Sequence, residues 1–438
     1  MKDHFFELCG GLAQALREGE VLLCSLRAER SDFVRFNRGS VRQAGSVEQR
    51  MATLRLVKAG RQAAATLALA GTREDLEPAR LALARVRDAL AGLPEDPWLL
   101  VNETLQSTRL ERRGRLAPAQ LVVAQASAAA QGLDLVGIYA GGTIYRGFAS
   151  SLGQTHWHEM DSFNFDWSLH GGPRQAVKAA YAGLQWDGEE LGRRIEAAAG
   201  QLALLGLAEK PLPPGEYRAY LGPRAVEELL GLLSWGAFSA RARATRQSPL
   251  LRMQEGARLS PKVTLMENTA EGVAPGFQGD GFVKPPAVPL IVHGQLADAL
   301  VSPRSSKEYG LATNAAGNAE SPESLDLAAG TLDEGEALAA LGTGLYIGNL
   351  WYLNYSDRPA GRITGMTRFA TFWVEQGRIA APVAPLRFDD SLYRMLGENL
   401  VDLTRGRTLL LDPSTYEGRS TAAARLPGAL LSGLRFTL

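Results

Sequence analysis

The hydrophobic positions of this chain change period several times, and each change marks an element. Phe5, Leu8, Leu12 and Leu16 recur at helical spacing and predict an amphipathic helix over residues 3–18. Three strand-like runs follow, at 21–27, 33–42 and 47–58. In the last, Gln49, Met51, Thr53, Arg55 and Val57 alternate with Arg50, Ala52, Leu54 and Leu56, the two-residue period of a pleated strand. Gly60 turns the chain into a further strand ending near residue 70. Leu76, Ala79, Leu83 and Val86 then share one face of a long helix predicted over 72–93.

Residues 94–116 are rich in proline and charge and read as a linker. Beyond it the spacing predicts a helix over 117–131. Strands at 133–140 and 143–150 follow, parted by a Gly141-Gly142 turn, and a helix covers 188–200. Pro211, Pro213 and Pro214 make 206–216 the best domain boundary. A strand at 218–221 and a helix at 223–243, with Pro223 at its start, come next. Helical signals vanish from 248 to 289. Residues 301–330 are poor in large apolar side chains and read as a long loop of the kind that is functional or mobile. The remainder returns to strands, with one helix near 389–403. These elements predict an α+β fold. An N-terminal α/β-sheet domain, 1–205, has parts at about 1–93 and 117–205, and a mostly β C-terminal domain spans 217–438. No internal repeat is present.

A chain of 438 residues exceeds the usual size of a single core, which agrees with two domains. Lys+Arg and Asp+Glu are equal at 47 each, so the phosphate-neutralising excess of a nucleic-acid binder is missing. The basic run Arg241, Arg243, Arg246 reads as a solvated helix face. Cys9 and Cys24 are the only cysteines, without metal or redox spacing, and point to a reducing compartment. The first residues carry acids and no long apolar run, so no signal peptide is expected. The apolar stretch 229–238 is broken by Gly231, Ser234 and Gly236 and is too short to span a bilayer. A cytoplasmic protein that binds neither membrane nor nucleic acid is expected.

The segment from Thr155 to His170 alternates more sharply than any other. Trp157, Phe163, Phe165, Trp167 and Leu169 form a core face. His156, His158, Ser162, Asn164, Asp166, Ser168 and His170 form a polar face. His156 and His158 would lie roughly 6.5–7 Å apart between Cα atoms. Two imidazoles on one strand face can chelate a divalent metal if a third ligand joins them. The plainer reading is a half-exposed strand whose histidines hydrogen-bond to neighbours. The Ser305-Ser306-Lys307 run lacks the spacing of a serine–lysine catalytic pair. No glycine-rich phosphate loop is present.

The most specific stretch runs from Leu341 to Val383. A Gly342-Thr343-Gly344 turn feeds the strand-like Leu345-Tyr346-Ile347 run. Ser356-Asp357 and Arg362-Ile363-Thr364-Gly365 follow. Phe372-Trp373-Val374-Glu375-Gln376-Gly377-Arg378-Ile379 closes the stretch as two short strands about a glycine turn. This ordered series resembles the C-terminal domain of the TldD/PmbA family of zinc peptidases, also described as gyrase modulators. The exit segment Tyr181-Ala182-Gly183-Leu184-Gln185-Trp186-Asp187 is similar to that family too.

The resemblance implies a barrel-like C-terminal domain. It also implies, in catalytic members, an H-E-x-x-x-H helix with a C-terminal cysteine as further zinc ligand. The equivalent helix here, 223–243, contains no histidine, and no cysteine follows Cys24. His4, His156, His158, His170 and His293 are the only histidines, and none stands in such a motif.

The expectation is therefore the PmbA (TldE)-like branch: a non-catalytic subunit with no zinc of its own, which helps bind extended peptide. It would form a homodimer, or a heterodimer with a zinc-bearing TldD-type subunit. The alternatives are an independent metal-dependent hydrolase with a relocated site at His156/His158, and a non-enzymatic homodimeric binding protein. No catalytic residue is assigned. Tyr346, Asn349, Trp351, Asn354, Tyr355, Arg362 and Arg368 are the candidate substrate-binding or interface residues. Aromatics and arginine are enriched at interfaces, and arginine can fix a peptide carboxylate. For Asp357, Arg362 and Arg368 an internal ion-pair set is the preferred reading.

Overall fold

The computed structural model describes residues 1–173 and 175–437. The first sheet is built from four long strands: β1 (Val21–Asn37), β2 (Ser40–Lys58), β5 (Asp134–Ser150) and β6 (Thr155–His170). Short strands β3 (Arg61–Ala68), β4 (Ser107–Arg112) and β7 (Ala176–Gly183) complete it in the order β3-β2-β1-β5-β6-β4. β4 runs parallel to Thr155–Met160 of β6, and β7 antiparallel to Phe163–His170. The stretch read as a linker thus supplies an edge strand. Its sequence, STRLER, is polar because most of its side chains reach solvent.

Two helix pairs lie side by side on one face of this sheet. α1 (Lys2–Ala13) and α2 (Leu76–Leu90) bury Phe5, Leu8, Leu12, Ala79, Leu83 and Val86 against Leu22, Cys24, Leu26, Leu54 and Trp157. α3 (Ala119–Ala129) and α4 (Gly188–Leu204) cover Val34, Phe36, Tyr139, Phe163, Phe165 and Trp167. The even positions of β1 between the pads are Arg30 and Asp32. They make polar contacts to Glu48 and Ser46. The sequence pattern breaks β1 there, but the strand is continuous; its middle merely lies between two apolar pads. β5 is likewise one strand. Gly141-Gly142 does not turn the chain but sits mid-strand opposite Asp32 and Ser31. Gly142 has φ 147°, and a Cβ on it would stand 2.1 Å from the Arg30 carbonyl oxygen.

The second half begins with β8 (Gly215–Leu221), α5 (Pro223–Gly231), α6 (Ala240–Ala244) and α7 (Leu251–Gln254). The single helix expected over 223–243 is therefore broken. A 3₁₀ turn at Leu232–Ser234 and Gly236 at φ 89° end it, and Ser239 caps the restart. Strands β9 (Leu265–Glu267), β10 (Val288–Val292) and β11 (Gln295–Leu296) lead to α8 (Pro303–Tyr309) and β12 (Ser324–Leu327). Part of the expected 301–330 loop is thus regular. Ser302 caps α8, Pro303 starts it and Gly310 ends it in the left-handed region at φ 67°.

After α9 (Ala337–Leu341) come β13 (Gly344–Asp357), β14 (Arg362–Glu375), β15 (Arg378–Pro382), β16 (Arg387–Ser391), β17 (Leu400–Leu403), β18 (Thr408–Leu411), β19 (Ala423–Leu426) and β20 (Ala429–Phe436). The helix expected near 389–403 is strand, one π-type turn at Arg394–Glu398, and strand again. Buried Asp390 holds this turn, accepting from Ser391 N, Arg394 Nε and Arg435 N.

β13, β8, β20, β16 and β14 pair in a ring, since β13 also pairs with β14, and β15 is appended to β14. This closed barrel removes most sheet edges. A second sheet, β11-β10-β9-β12-β19-β18, shares a core with the barrel. No helix among the described residues is long and apolar enough to cross a membrane.

Candidate functional site

α5 is the first part of the 223–243 stretch that the family resemblance sets against a zinc helix. Gly222 is extended, Pro223 fixes the first turn, and Ala225, Val226, Leu229 and Leu230 face the core. The opposite side carries Arg224, Glu227 and Glu228 and meets the first sheet. Arg224 donates to Glu227 Oε2 at 2.6 Å and to Asp166 Oδ2 of β6 at 2.5 Å, and Lys178 of β7 stands 3.7 Å from Asp166. Burial opposes the Arg224 charge, but Glu227 and Asp166 outweigh it and raise its pKa. Burial raises the Glu227 carboxyl despite Arg224. A guanidinium sits between the carboxylates where a cation would have to bind, and neither imidazole nor thiolate is present on the helix. This donor set does not fit zinc. Cys9 and Cys24 are both buried in the N-terminal core.

The polar face of β6 is not half-exposed as the alternation suggested. It is covered by the second half of the chain, leaving His156 0% and His158 1% exposed. His156 lies between the rings of Phe148 and Phe277, at 5.7 and 5.2 Å. Its Nε2 lies 3.1 Å from the Gly281 carbonyl oxygen, which can only accept, so Nε2 carries the proton. Nδ1 then accepts from Thr108 Oγ1 at 3.0 Å, leaving no free lone pair for a metal. His158 lies beside Arg146 and the Val273 backbone, and burial pushes its pKa down to about 4. No group of three or more His, Cys, Asp or Glu side chains among the described residues could hold a metal ion.

The β13–β14 hairpin separates the seven candidate binding residues. Tyr346 points inward, against Tyr220 at 5.7 Å and Phe372 at 6.2 Å, with its hydroxyl 3.4 Å from Gln201 Nε2. Asn349 is buried as well. The register then shifts between Trp351 and Asn354, and Tyr352 takes φ 56°. This bulge turns Trp351 and Tyr352 outward, 46% and 77% exposed. The Arg368 guanidinium covers the Trp351 ring at 4.3 Å. Asn354 is exposed, and its Oδ1 accepts from Tyr355 N. Tyr355 is half-buried: its hydroxyl donates to the Leu232 carbonyl at 2.8 Å, and its ring meets Trp235 edge-on at 6.3 Å. Arg362 pairs with Asp389 at 2.5 Å on the outer face. The seven residues therefore do not form one site. Trp351 and Arg368, with Tyr352, make an outward patch, and Trp235 and Tyr355 make a second.

Sequence reasoning missed a cavity of about 500 Å³ between the first sheet and the 417–419 segment, lined by Arg27, Glu29, Arg146 and Arg419 among others. Its residues are far apart in sequence. The cross-strand pairing of β1 with β5 is what brings Arg27 to Arg146.

Residues 214–437, just over half the chain, match the model of the PmbA/TldA metallopeptidase C-terminal domain. The chain belongs to the TldD/PmbA family. Three solved structures share its fold. TldE from Thermococcus kodakarensis is 14% identical, with TM-score 0.80 over 99% of this chain and 100% of that one. A protein proposed as a modulator of a DNA gyrase from Thermotoga maritima is 16% identical, with TM-score 0.78 over the whole of both chains. Another, from Bacteroides thetaiotaomicron, is 16% identical, with TM-score 0.75 over 100% and 98%. A comparison with curated proteins finds no match.

Proposed function

We propose that this chain is a zinc-free subunit of a TldD/PmbA-type peptidase, which binds extended peptide and completes an assembly whose catalytic zinc lies in a second chain. The observation that carries this reading is the chemistry of α5. The helix in the expected metal position has no histidine, and its Arg224 occupies the space between Glu227 and Asp166. The described residues offer no alternative cluster of metal ligands.

The exposed Trp351, Tyr352 and Arg368 are the interface anchors in this reading, being residue types enriched in buried interface cores. Extended peptide would add to the outer edge of β15, where Lys210 N already donates to Pro382 O at 2.9 Å and the rest of the edge pairs with no strand among the described residues. The site of action is the cytoplasm in this reading.

The test is co-expression with a family chain that carries H-E-x-x-x-H. Co-purification of the pair, peptide hydrolysis only by the pair, and zinc at one atom per pair are expected. Chelator-sensitive hydrolysis by this chain alone, abolished in a His156→Ala, His158→Ala double variant, would establish the relocated-site alternative instead. A homodimer that ignores the zinc-bearing chain would favour a binding protein.

A further inference from the structure

The face of the first sheet that is turned toward the second half of the chain sets two arginines against each other, next to a neutral histidine. Arg27 on β1 stands directly opposite Arg146 on β5, and Arg146 directly opposite His158 on β6. Like charges facing each other across strands repel. Among the described residues no carboxylate hydrogen-bonds to either arginine. Arg146 donates only to the backbone oxygens of Tyr145, at 2.9 Å, and Ala28, at 3.4 Å. The nearby acids Glu29 and Glu323 attract Arg146 through space but take their hydrogen bonds from other donors. Glu29 accepts from Ser31 Oγ at 2.9 Å and from Gln49 Nε2 at 2.6 Å, and Glu323 takes Lys284 Nζ at 2.7 Å. Burial, with Arg27 alongside, pushes the Arg146 pKa down to about 10.

A third arginine closes the same space from the other half of the molecule. Arg419 is 6% exposed and donates to Gly142 O at 3.1 Å and to Ser162 O and Oγ at 2.7 Å. Its segment is pressed onto the sheet, since a Cβ on Gly418, at φ 135°, would stand 3.0 Å from Gln49 Nε2. Between the arginines lies the cavity of about 500 Å³. That volume suits a small ligand. The lining holds three arginines against two carboxylates, Glu29 and Glu417, so one positive charge is left over; the donors to Glu29 are neutral and leave its charge in place.

We propose that this cavity is a binding site for an oxyanion, carboxylate or phosphate, held by the guanidinium groups of Arg27 and Arg146. A planar fork of N–H donors matches both anions, and a bound anion would relieve the repulsion between the two arginines. The site rests on residues unrelated to the α5 argument and stands whether or not the chain is a zinc-free subunit.

The experiment is calorimetric titration of the full chain at low salt, where screening is weakest. One arm uses inorganic phosphate; the other uses a short peptide as its free acid and as its C-terminal amide. Saturable binding of phosphate assigns the site to a phosphate ligand, and binding of the acid but not the amide assigns it to a carboxylate. In either case Arg27→Gln, at an exposed position, should weaken binding by about tenfold or more, and Arg146→Lys should weaken it similarly. Absence of binding in both arms at about 10 mM would overturn the proposal, as would an affinity unchanged in both variants.

Discussion

Arg224 of α5 reaches across the boundary between the two halves of the chain and donates to Asp166 of β6 at 2.5 Å. Both side chains are largely withdrawn from solvent, at 16% and 17% exposed. The α5 helix is thus fastened to the first sheet by an ion pair. Removing Asp166 would leave the guanidinium with Glu227 of its own helix as its hydrogen-bonded carboxylate. Asp166→Asn should therefore destabilise the protein by about 1–2 kcal/mol, less than for an isolated buried pair because Glu227 still meets the charge and the remaining exposure screens it. Arg224→Met should cost more than Asp166→Asn, because it takes the guanidinium from both Glu227 and Asp166. Urea unfolding of the two variants and the wild type reads this directly, and equal stability of Asp166→Asn and the wild type would contradict it.

His158 sets a pH dependence. Burial first, then the Arg146 charge, with Arg112 and Lys284 adding to it, hold its folded pKa at about 4, against 6.5 when unfolded. Between those values the unfolded chain binds a proton that the folded chain refuses. Stability from this group is complete above pH 6.5 and falls as the pH drops toward 4. The loss amounts to about 3 kcal/mol by pH 4. In His158→Gln, unfolding free energy should vary less between pH 7 and 5 than in the wild type. Parallel curves for the two proteins would show that the histidine does not contribute.

The helices over α1 to α4 and most strands of the first half were legible because apolar periodicity there follows directly from one buried face. β1 was not, because Arg30 and Asp32 fall between two helix pads and interrupt its pattern without interrupting its hydrogen bonds. The His156/His158 face looked half-exposed because alternation reports polarity, not cover. What covers it, Phe277, Val273 and Arg419, lies more than a hundred residues away. The α8 cap, Ser302-Pro303 with Gly310, was a local signal that the polar composition of 301–330 obscured. The turn at 372–379 was read correctly as two short strands, the end of β14 and β15, but in the neighbouring β13–β14 pair a register shift near Trp351, invisible to a two-residue period, decides which aromatics face out.

Gly142 provides a backbone test of that continuous β5. Its φ of 147° and the 2.1 Å approach to the Arg30 oxygen leave no room for a methyl group. Gly142→Ala should cost more than about 3 kcal/mol through strain and a forced shift of β1. Gly192→Ala, in α4 with open space at its Cβ, should instead be neutral or stabilising. Thermal denaturation of the two variants separates a fixed close approach from a general intolerance of substitution.

The hairpin aromatics give the sharpest division between interior and interface. Tyr355 loses a hydrogen bond to Leu232 and its packing on Trp235 when truncated. Tyr355→Ala should lower subunit stability by about 2–3 kcal/mol, with a melting temperature depressed at every protein concentration. Trp351 is 46% exposed, with Arg368 over its ring. Trp351→Ala should change subunit stability by no more than about 1 kcal/mol, the worth of an exposed cation–π contact. If Trp351 anchors an interface, the same change weakens association by about 2 kcal/mol or more, the usual cost of truncating a buried aromatic anchor. Sedimentation across a range of concentrations, with and without the zinc-bearing chain, distinguishes the two effects. A Trp351→Ala protein that assembles like the wild type in both settings would remove this patch from the interface, whereas a concentration-dependent loss confined to the mixed assembly would place it against the second chain.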